Sequence, residues 1–293
     1  MRHSAVLGPA VSGSWYPRDR AELTRLVDGL LENAAVRAEE AHGSVGALIA
    51  PHAGFAYSGA VAASAFVKLR GQVFDRVVLV GPSHFFGFEG AAVPDAATAY
   101  RTPLGDVPID RDAIATLRRA RGFRADDRMF EREHALEAEL PFLQRVIPPD
   151  VPVVPVLMGG RATQHDASRV AEGLARLLGP STLVVASSDF THFGPRFEYV
   201  PFDADIPARI RELDFGAVAA IEAGDAEGFA RYVATTGATI CGHRAIDVLL
   251  LLLGGKTGAR LVEYDTSGRL SGTWDNSVSY AAITAPATGW QRD

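Results

Sequence analysis

The chain has 293 residues, of which 47% are hydrophobic and 22% charged, with a net charge of -6 and a single Cys. That length holds one large α/β domain or two smaller ones and buries a core that needs no covalent staples, and Cys241 alone excludes an intrachain disulfide, as suits a reducing cytosol. The acidic balance argues against binding a nucleic-acid backbone, so Arg118-Arg119-Ala120-Arg121 reads as the solvated end of a helix.

Residues 1–17 form an N-terminal arm. They lack a continuous apolar core, so no secretory leader is expected, and Trp15 and Tyr16 can anchor the arm to the core. After Pro17, Asp19 with Glu22 makes a capping box for a helix whose stripe is Leu23, Leu26, Val27, Leu30 and Leu31, and residues 33–44 follow as a loop. A strand at 47–50 comes next, then a helix over 58–69 with Ser58 as its cap, then a strand at 77–81. This strand-helix-strand order predicts a parallel pair with a right-handed crossover. Residues 85–106, rich in aromatics, Gly and Pro, are expected to be a long irregular wall beside a pocket.

Helices are predicted over 110–120 and 135–146, a strand over 151–158, and a helix over 166–178. A strand at 183–186 precedes helices over 206–222, 225–235 and 243–253. The apolar run at 248–253 is far below the roughly 20 residues that span a bilayer, so it reads as a buried helix and no membrane is implied. Strands at 260–264 and 278–283 close the chain, and residues 285–293 are expected to fray. No linker splits the sequence. The expectation is a single α/β domain over 1–293 with a central mostly parallel or mixed sheet flanked by helices.

Three of the apolar strands run within a few residues into a His. Ile49-Ala50 leads to Pro51-His52, Val80-Gly81 to Pro82-Ser83-His84, and Val185-Ala186 to Ser187-Ser188-Asp189-Phe190-Thr191-His192. In open α/β sheets ligands bind outside the carboxyl ends of the strands, so these residues predict a His-lined site at one sheet edge. Imidazole and thiolate suit borderline transition metals, which adds Cys241 to His52, His84 and His192, with Asp189, His134 and Glu137 behind them. Each has a plainer reading. Cys241 can be a small buried hydrophobe, Asp189 a turn former, and His134 a helix-start residue paired with Glu133 or Glu137. His3, His42 and His165 are expected in solvent, and His243 packing at a helix start. The competing nucleophiles Ser83, Ser187 and Ser188 lack a G-x-S-x-G elbow, and no phosphate-binding Gly loop is present.

The sequence also resembles a known family, the Memo-like proteins, called AmmeMemoRadiSam system protein B in prokaryotes. The resemblance rests on Gly13-Ser14-Trp15-Tyr16-Pro17, Ala50-Pro51-His52-Ala53-Gly54 with Tyr57-Ser58-Gly59, Gly81-Pro82-Ser83-His84, Arg101-Thr102-Pro103-Leu104-Gly105, Glu133-His134 through Leu140-Pro141, Ser187-Ser188-Asp189-Phe190 with His192, Ile240-Cys241-Gly242, and Ser277-Val278-Ser279-Tyr280-Ala281. It implies a fold similar to the class III extradiol dioxygenases. It also implies a pocket in which His52, His84 and Cys241 are the metal ligands and His192 stands in the place of a catalytic base, with Asp189 lining the same pocket; the catalytic candidates are then His192, Asp189 and, from the residue reading, His134. The family name implies a radical-SAM protein and an AMMECR-type protein as partners.

The dioxygenases complete their site with a carboxylate, and a Cys in its place is softer, favouring iron, copper(I) or zinc. Three functions stay open at this point. One is an Fe(II)-dependent oxidoreductase acting on a small molecule. The second is a non-catalytic component that binds a metal or peptide within a cytoplasmic multi-protein modification system. The third is a zinc hydrolase.

Overall fold

In chain order the strands are β1 (Val6–Leu7), β2 (Val45–Ala50), β3 (Arg76–Pro82), β4 (Ala91–Val93), β5 (Ala99–Thr102), β6 (Gly105–Pro108), β7 (Phe123–Ala125), β8 (Val153–Met158), β9 (Thr182–Ser187), β10 (His192–Phe193), β11 (Arg260–Thr266) and β12 (Ser277–Pro286). The helices are α1 (Arg20–Arg37), α2 (Phe55–Phe66), α3 (Arg111–Leu117), α4 (Leu140–Val146), α5 (Gln164–Leu174), α6 (Ile206–Glu222), α7 (Ala226–Thr236), α8 (His243–Leu253) and α9 (Ser267–Ser271). This computed structural model describes residues 6–37, 44–255 and 258–286.

The main sheet has the order β10-β12-β2-β9-β3-β8-β4-β7, with β11 on β12, and a small sheet β1-β5-β6 lies apart. Its centre, β2-β9-β3-β8, is parallel, while β12 pairs antiparallel with β2, β10 and β11, and β4 antiparallel with β8. The sheet is therefore mixed with a parallel core, as expected. The four central strands are buried almost throughout, which is why they read as unbroken apolar runs rather than as alternation. α8 carries seven apolar residues buried from Ala245 to Leu253. No described helix is long and apolar enough to cross a membrane.

Several boundaries depart from the sequence reading. β2 and β3 are parallel but do not pair, because β9 enters between them. The connection through α2 thus spans one strand position, which hydrophobic pattern alone does not encode. α2 starts at Phe55 with Gly54 as its cap, and Ser58, inside the helix, donates its hydroxyl to the Ala53 carbonyl at 2.8 Å. α1 runs on to Arg37, its Asn33 and Ala34 tolerated because Ala34 is buried with Leu31. The expected helix over 135–146 divides into a 3-10 turn, Glu137–Glu139, and α4, with Pro141 in the first turn where its missing N–H costs little. The segment 85–106 contains β4 and β5 and is not irregular throughout. Ala285 and Pro286 belong to β12, paired with Ala47 and Val45. The rest of the expected tail lies outside the described residues, as do His3 and His42. Asp19 caps α1 as read, Asp110 and Asp225, expected as the first residues of their helices, are instead the caps of α3 and α7, and Thr163 with Asp166 forms a complete capping box for α5.

Candidate metal centre

Three segments leave the same edge of the parallel sheet. β2 ends at Ala50 and continues into Pro51-His52, β3 ends at Pro82 and continues into Ser83-His84, and β9 ends at Ser187 and continues into Ser188-Asp189. Ala50 sits beside Ser187 and Val80 beside Ala186, so the carboxyl ends of the strands coincide. A fourth segment, 133–136, closes over β3. Gly81 permits this approach, since a Cβ there would lie 2.7 Å from the Leu136 side chain and 3.3 Å from that of Ala135.

The result is a group of three imidazoles. One ligand-competent atom from each of His52, His84 and His134 lies within 4.8 Å of the others. The His84 and His134 rings stack at 4.4 Å, and His52 meets them edge-on at 5.3 and 5.6 Å. Trp15 covers the outer side of His134 at 4.3 Å, and Phe85 meets it edge-on at 6.2 Å.

Each ring has its own backing. His84 Nδ1 lies 2.8 Å from Glu133 Oε1, and the His84 amide donates to Oε2 at 2.6 Å. The buried Glu133 also accepts the amides of His134 (2.9 Å) and Ala135 (3.0 Å). Burial alone would raise the Glu133 pKa, but the hydrogen bond and charge of His84, with the backbone donors, hold it below the usual carboxylate value. His52 Nδ1 lies 2.8 Å from Ser187 Oγ, and its amide donates to Asp189 Oδ1 at 2.8 Å. Burial, with His84, His134 and His192 nearby, holds His52 well below the ordinary imidazole value. Burial and the neighbouring His84 bring His134 down to about 4, against the opposing pull of Glu133. These two imidazoles are neutral at pH 7, the form that binds a transition metal. In His52 and His84 the backed nitrogen is Nδ1, which leaves Nε2 to ligate. The donor set therefore fits a borderline transition-metal ion.

Cys241 reaches the group from the segment before α8. Its Sγ lies 3.2 Å from His52 Nε2 and 3.6 Å from the Asp189 carbonyl, and burial followed by the Asp189 charge pushes the thiol up. Gly242 makes this possible, because a Cβ there would fall 2.5 Å from both the Ser187 carbonyl oxygen and the Ser188 Cβ. Cys241 thus adjoins the three-imidazole group through His52. His192, in β10, donates Nδ1–H to the carbonyls of Phe190 (2.9 Å) and Thr239 (3.0 Å), which leaves Nε2 as its basic nitrogen. It is an electrostatic neighbour of both His52 and Asp189. The Asp189 carboxylate is committed to the backbone amides of His52 and Ala53, and its burial raises its pKa.

Glu137 stands apart from this group. It accepts the amides of Ala10 (2.5 Å) and Val11 (3.1 Å) and the Tyr16 hydroxyl, so it moors the N-terminal arm. His165 is exposed, and His243 bonds the Ile240 carbonyl at 2.9 Å at the start of α8, both as read. Ser187 is sealed, with its hydroxyl 2.7 Å from the Ala135 carbonyl and 2.6 Å from Glu139 Oε1, so it is a strut and not a nucleophile. Glu133 and Glu139 are the site residues sequence reasoning missed. Glu133 stands next to His134 in sequence and invites pairing with it, yet its closer ring contact is with His84.

A model of the Memo-like protein family matches residues 8–284. The chain is 34% identical over 284 residues to the memo-1 homolog protein of Caenorhabditis elegans, covering 92% of this chain and 80% of that one. It is 33% identical over 284 residues to the MEMO1 protein of Xenopus laevis, covering 92% and 94%. It is 34% identical over 290 residues to a MEMO1 family protein of Methanopyrus kandleri, covering 94% and 97%.

Proposed function

This chain belongs to the Memo-like family, and on that premise we propose that it is a cytoplasmic metal-dependent oxidoreductase that acts on a small molecule at the sheet-edge pocket. The observation that carries the reading is the group of three imidazoles within 4.8 Å, two of them braced at Nδ1. His52 and His84 serve as ligands in either arrangement. His134 completes the set that stands together in this geometry, and Cys241, 3.2 Å from His52 Nε2, supplies the thiolate position that the family resemblance implies.

Fe(II) suits this mixed imidazole and sulfur environment and would supply Lewis acidity and one-electron chemistry when bound. The chain's own residues do the rest. Glu133 and Ser187 hold the rings, Asp189 fixes the backbone of the His52 turn, and Trp15 shields His134. His192, with Nδ1–H given to two carbonyls, keeps Nε2 available to take a proton from a bound substrate and return it. A second reading is supported by the Cys241 thiol beside His52, since a soft sulfur and imidazole pair also suits copper(I) or zinc. On that reading the pocket is a carrier or peptide-binding site without turnover, and the chain works beside a radical-SAM protein and an AMMECR-type protein in a modification system. Zinc would also permit hydrolysis, with His192 assisting a bound water.

Anaerobic loading with iron, followed by oxygen uptake with a panel of catechols and small thiols, separates these readings. The oxidoreductase reading predicts uptake that falls by a factor of about 100 or more in His192→Ala, the usual contribution of a general base. Uptake no greater than that of the variant overturns it in favour of the non-catalytic component.

A further inference from the structure

The contacts of Ser187 determine where three protons lie. The side chain is fully buried, and its Oγ has three close polar neighbours: His52 Nδ1 at 2.8 Å, the Ala135 carbonyl at 2.7 Å and Glu139 Oε1 at 2.6 Å. A serine hydroxyl has one proton to give and two lone pairs to receive with. The Ala135 carbonyl can only accept, so the serine proton goes there. The other two neighbours must then both be donors. One is His52 through Nδ1–H, and the other is Glu139, which can donate only as a carboxylic acid. An ionised Glu139 would leave two oxygens 2.6 Å apart with no proton between them.

A second, independent observation agrees. Glu139 is fully buried, and its Oε2 has no hydrogen-bond partner among the described residues, which a neutral carbonyl oxygen tolerates far better than a charged carboxylate does. Burial, with the Asp189 charge, also raises the Glu139 pKa well above the usual carboxylate value, outweighing the Ser187 hydrogen bond that lowers it.

We infer that Glu139 is a permanently protonated positioning residue which, through Ser187, fixes His52 as its Nδ1–H tautomer and so turns the unprotonated Nε2 toward the pocket. The two histidine supports are thus of different kinds. His84 leans on an ionised carboxylate, Glu133, whereas His52 leans on a hydroxyl fed by a neutral acid. A hydrogen bond from His to an anion raises ligand basicity, and one to a hydroxyl does so far less, so the pocket holds one stronger and one weaker imidazole donor. That consequence rests on the pocket being a metal site, while the proton arrangement stands without any metal.

The test is accordingly made first on metal-free protein. Nitrogen-15 NMR of the histidine rings at pH 7 is expected to show the proton of His52 on Nδ1. Infrared difference spectra between wild type and Glu139→Gln at pH 8 are expected to show a protonated-carboxyl band belonging to wild type alone. Finding the His52 proton on Nε2, or no such band, overturns the inference. The second stage is titration with Co(II). Glu139→Gln, whose amide still donates to Ser187, is expected to keep wild-type affinity, while Glu139→Leu and Ser187→Ala fall about 10- to 100-fold. Equal losses in Glu139→Gln and Glu139→Leu would show that filling the space matters and donating a proton does not, which also overturns it. If the spectroscopic results hold but Co(II) binds to none of the proteins, the metal reading fails while the positioning of His52 stands.

Discussion

Replacing Glu133 by Gln is the sharpest single-atom perturbation of the pocket. Both carboxylate oxygens face donors: Oε2 takes the His84 amide at 2.6 Å, and Oε1 takes His84 Nδ1 at 2.8 Å and the amides of His134 and Ala135 at 2.9 and 3.0 Å. A Gln side chain has one acceptor and one donor end. Whichever way it turns, its buried amino group meets at least one N–H. The less costly orientation puts that group against the His84 amide, leaving one opposed donor pair at about 1–3 kcal/mol. Loss of the negative charge weakens the remaining bonds, since hydrogen bonds to charged groups contribute about 1.5–3 kcal/mol against about 1 for neutral ones. The expected total is a destabilisation of about 2–4 kcal/mol, together with a metal affinity lower by about 10- to 100-fold because His84 loses its anionic brace. Urea unfolding followed at neutral pH measures the first, and competitive titration with a metal indicator measures the second. A variant with wild-type stability and wild-type affinity would refute the reasoning that Glu133 is ionised and orients His84.

Other expectations follow from the same geometry. Gly242→Ala forces a Cβ to within 2.5 Å of the Ser187 carbonyl oxygen, so the Cys241 segment must shift, and thermal unfolding is expected to report a loss of about 1–3 kcal/mol with weakened metal binding. Tyr16→Phe removes the hydroxyl from the buried Glu137, at about 1–3 kcal/mol in urea unfolding, and is expected to increase proteolysis of the arm. Asp247, in α8, is pushed up from 3.8 to about 6 by burial, against the stabilising Arg244 contact. A folded-state pKa above the unfolded one favours folding below the unfolded value and loses that contribution as pH rises through about 6. Wild type is therefore expected to lose about 2 kcal/mol relative to Asp247→Asn between pH 4 and pH 7, as read by urea midpoints across that range. A constant difference would contradict it.

Much of the fold is legible in the sequence because the parallel strands are buried on both faces and so appear as unbroken apolar runs, as at Val77-Val78-Leu79-Val80. The order of those strands is not legible, since the placement of β9 between β2 and β3 depends on which faces the helices cover. The strand-end rule brings His52, His84 and His192 together, and the structure sets His52 and His84 in one group whose third imidazole is His134 and not His192. His134 was readable only as a helix-start or pocket residue, because it arrives from a turn with no strand before it. Its place depends on Gly81, where any side chain would keep the turn away. Glu133, Glu139 and Ser187 were harder still. A buried carboxylate announces itself by its partners, and those partners lie 49 and 48 residues away in sequence.

On the proposed function, the imidazoles of His52, His84 and His134 form a transition-metal site. Elemental analysis of protein purified without chelators, set beside the double variant His52→Ala/His84→Ala, tests it most directly. The expected result is about one transition-metal ion per folded chain in wild type, with iron the metal the proposed function favours, and essentially none in the double variant. Wild type that takes up no ion even after anaerobic loading, or a folded double variant that retains the same metal content, would contradict it.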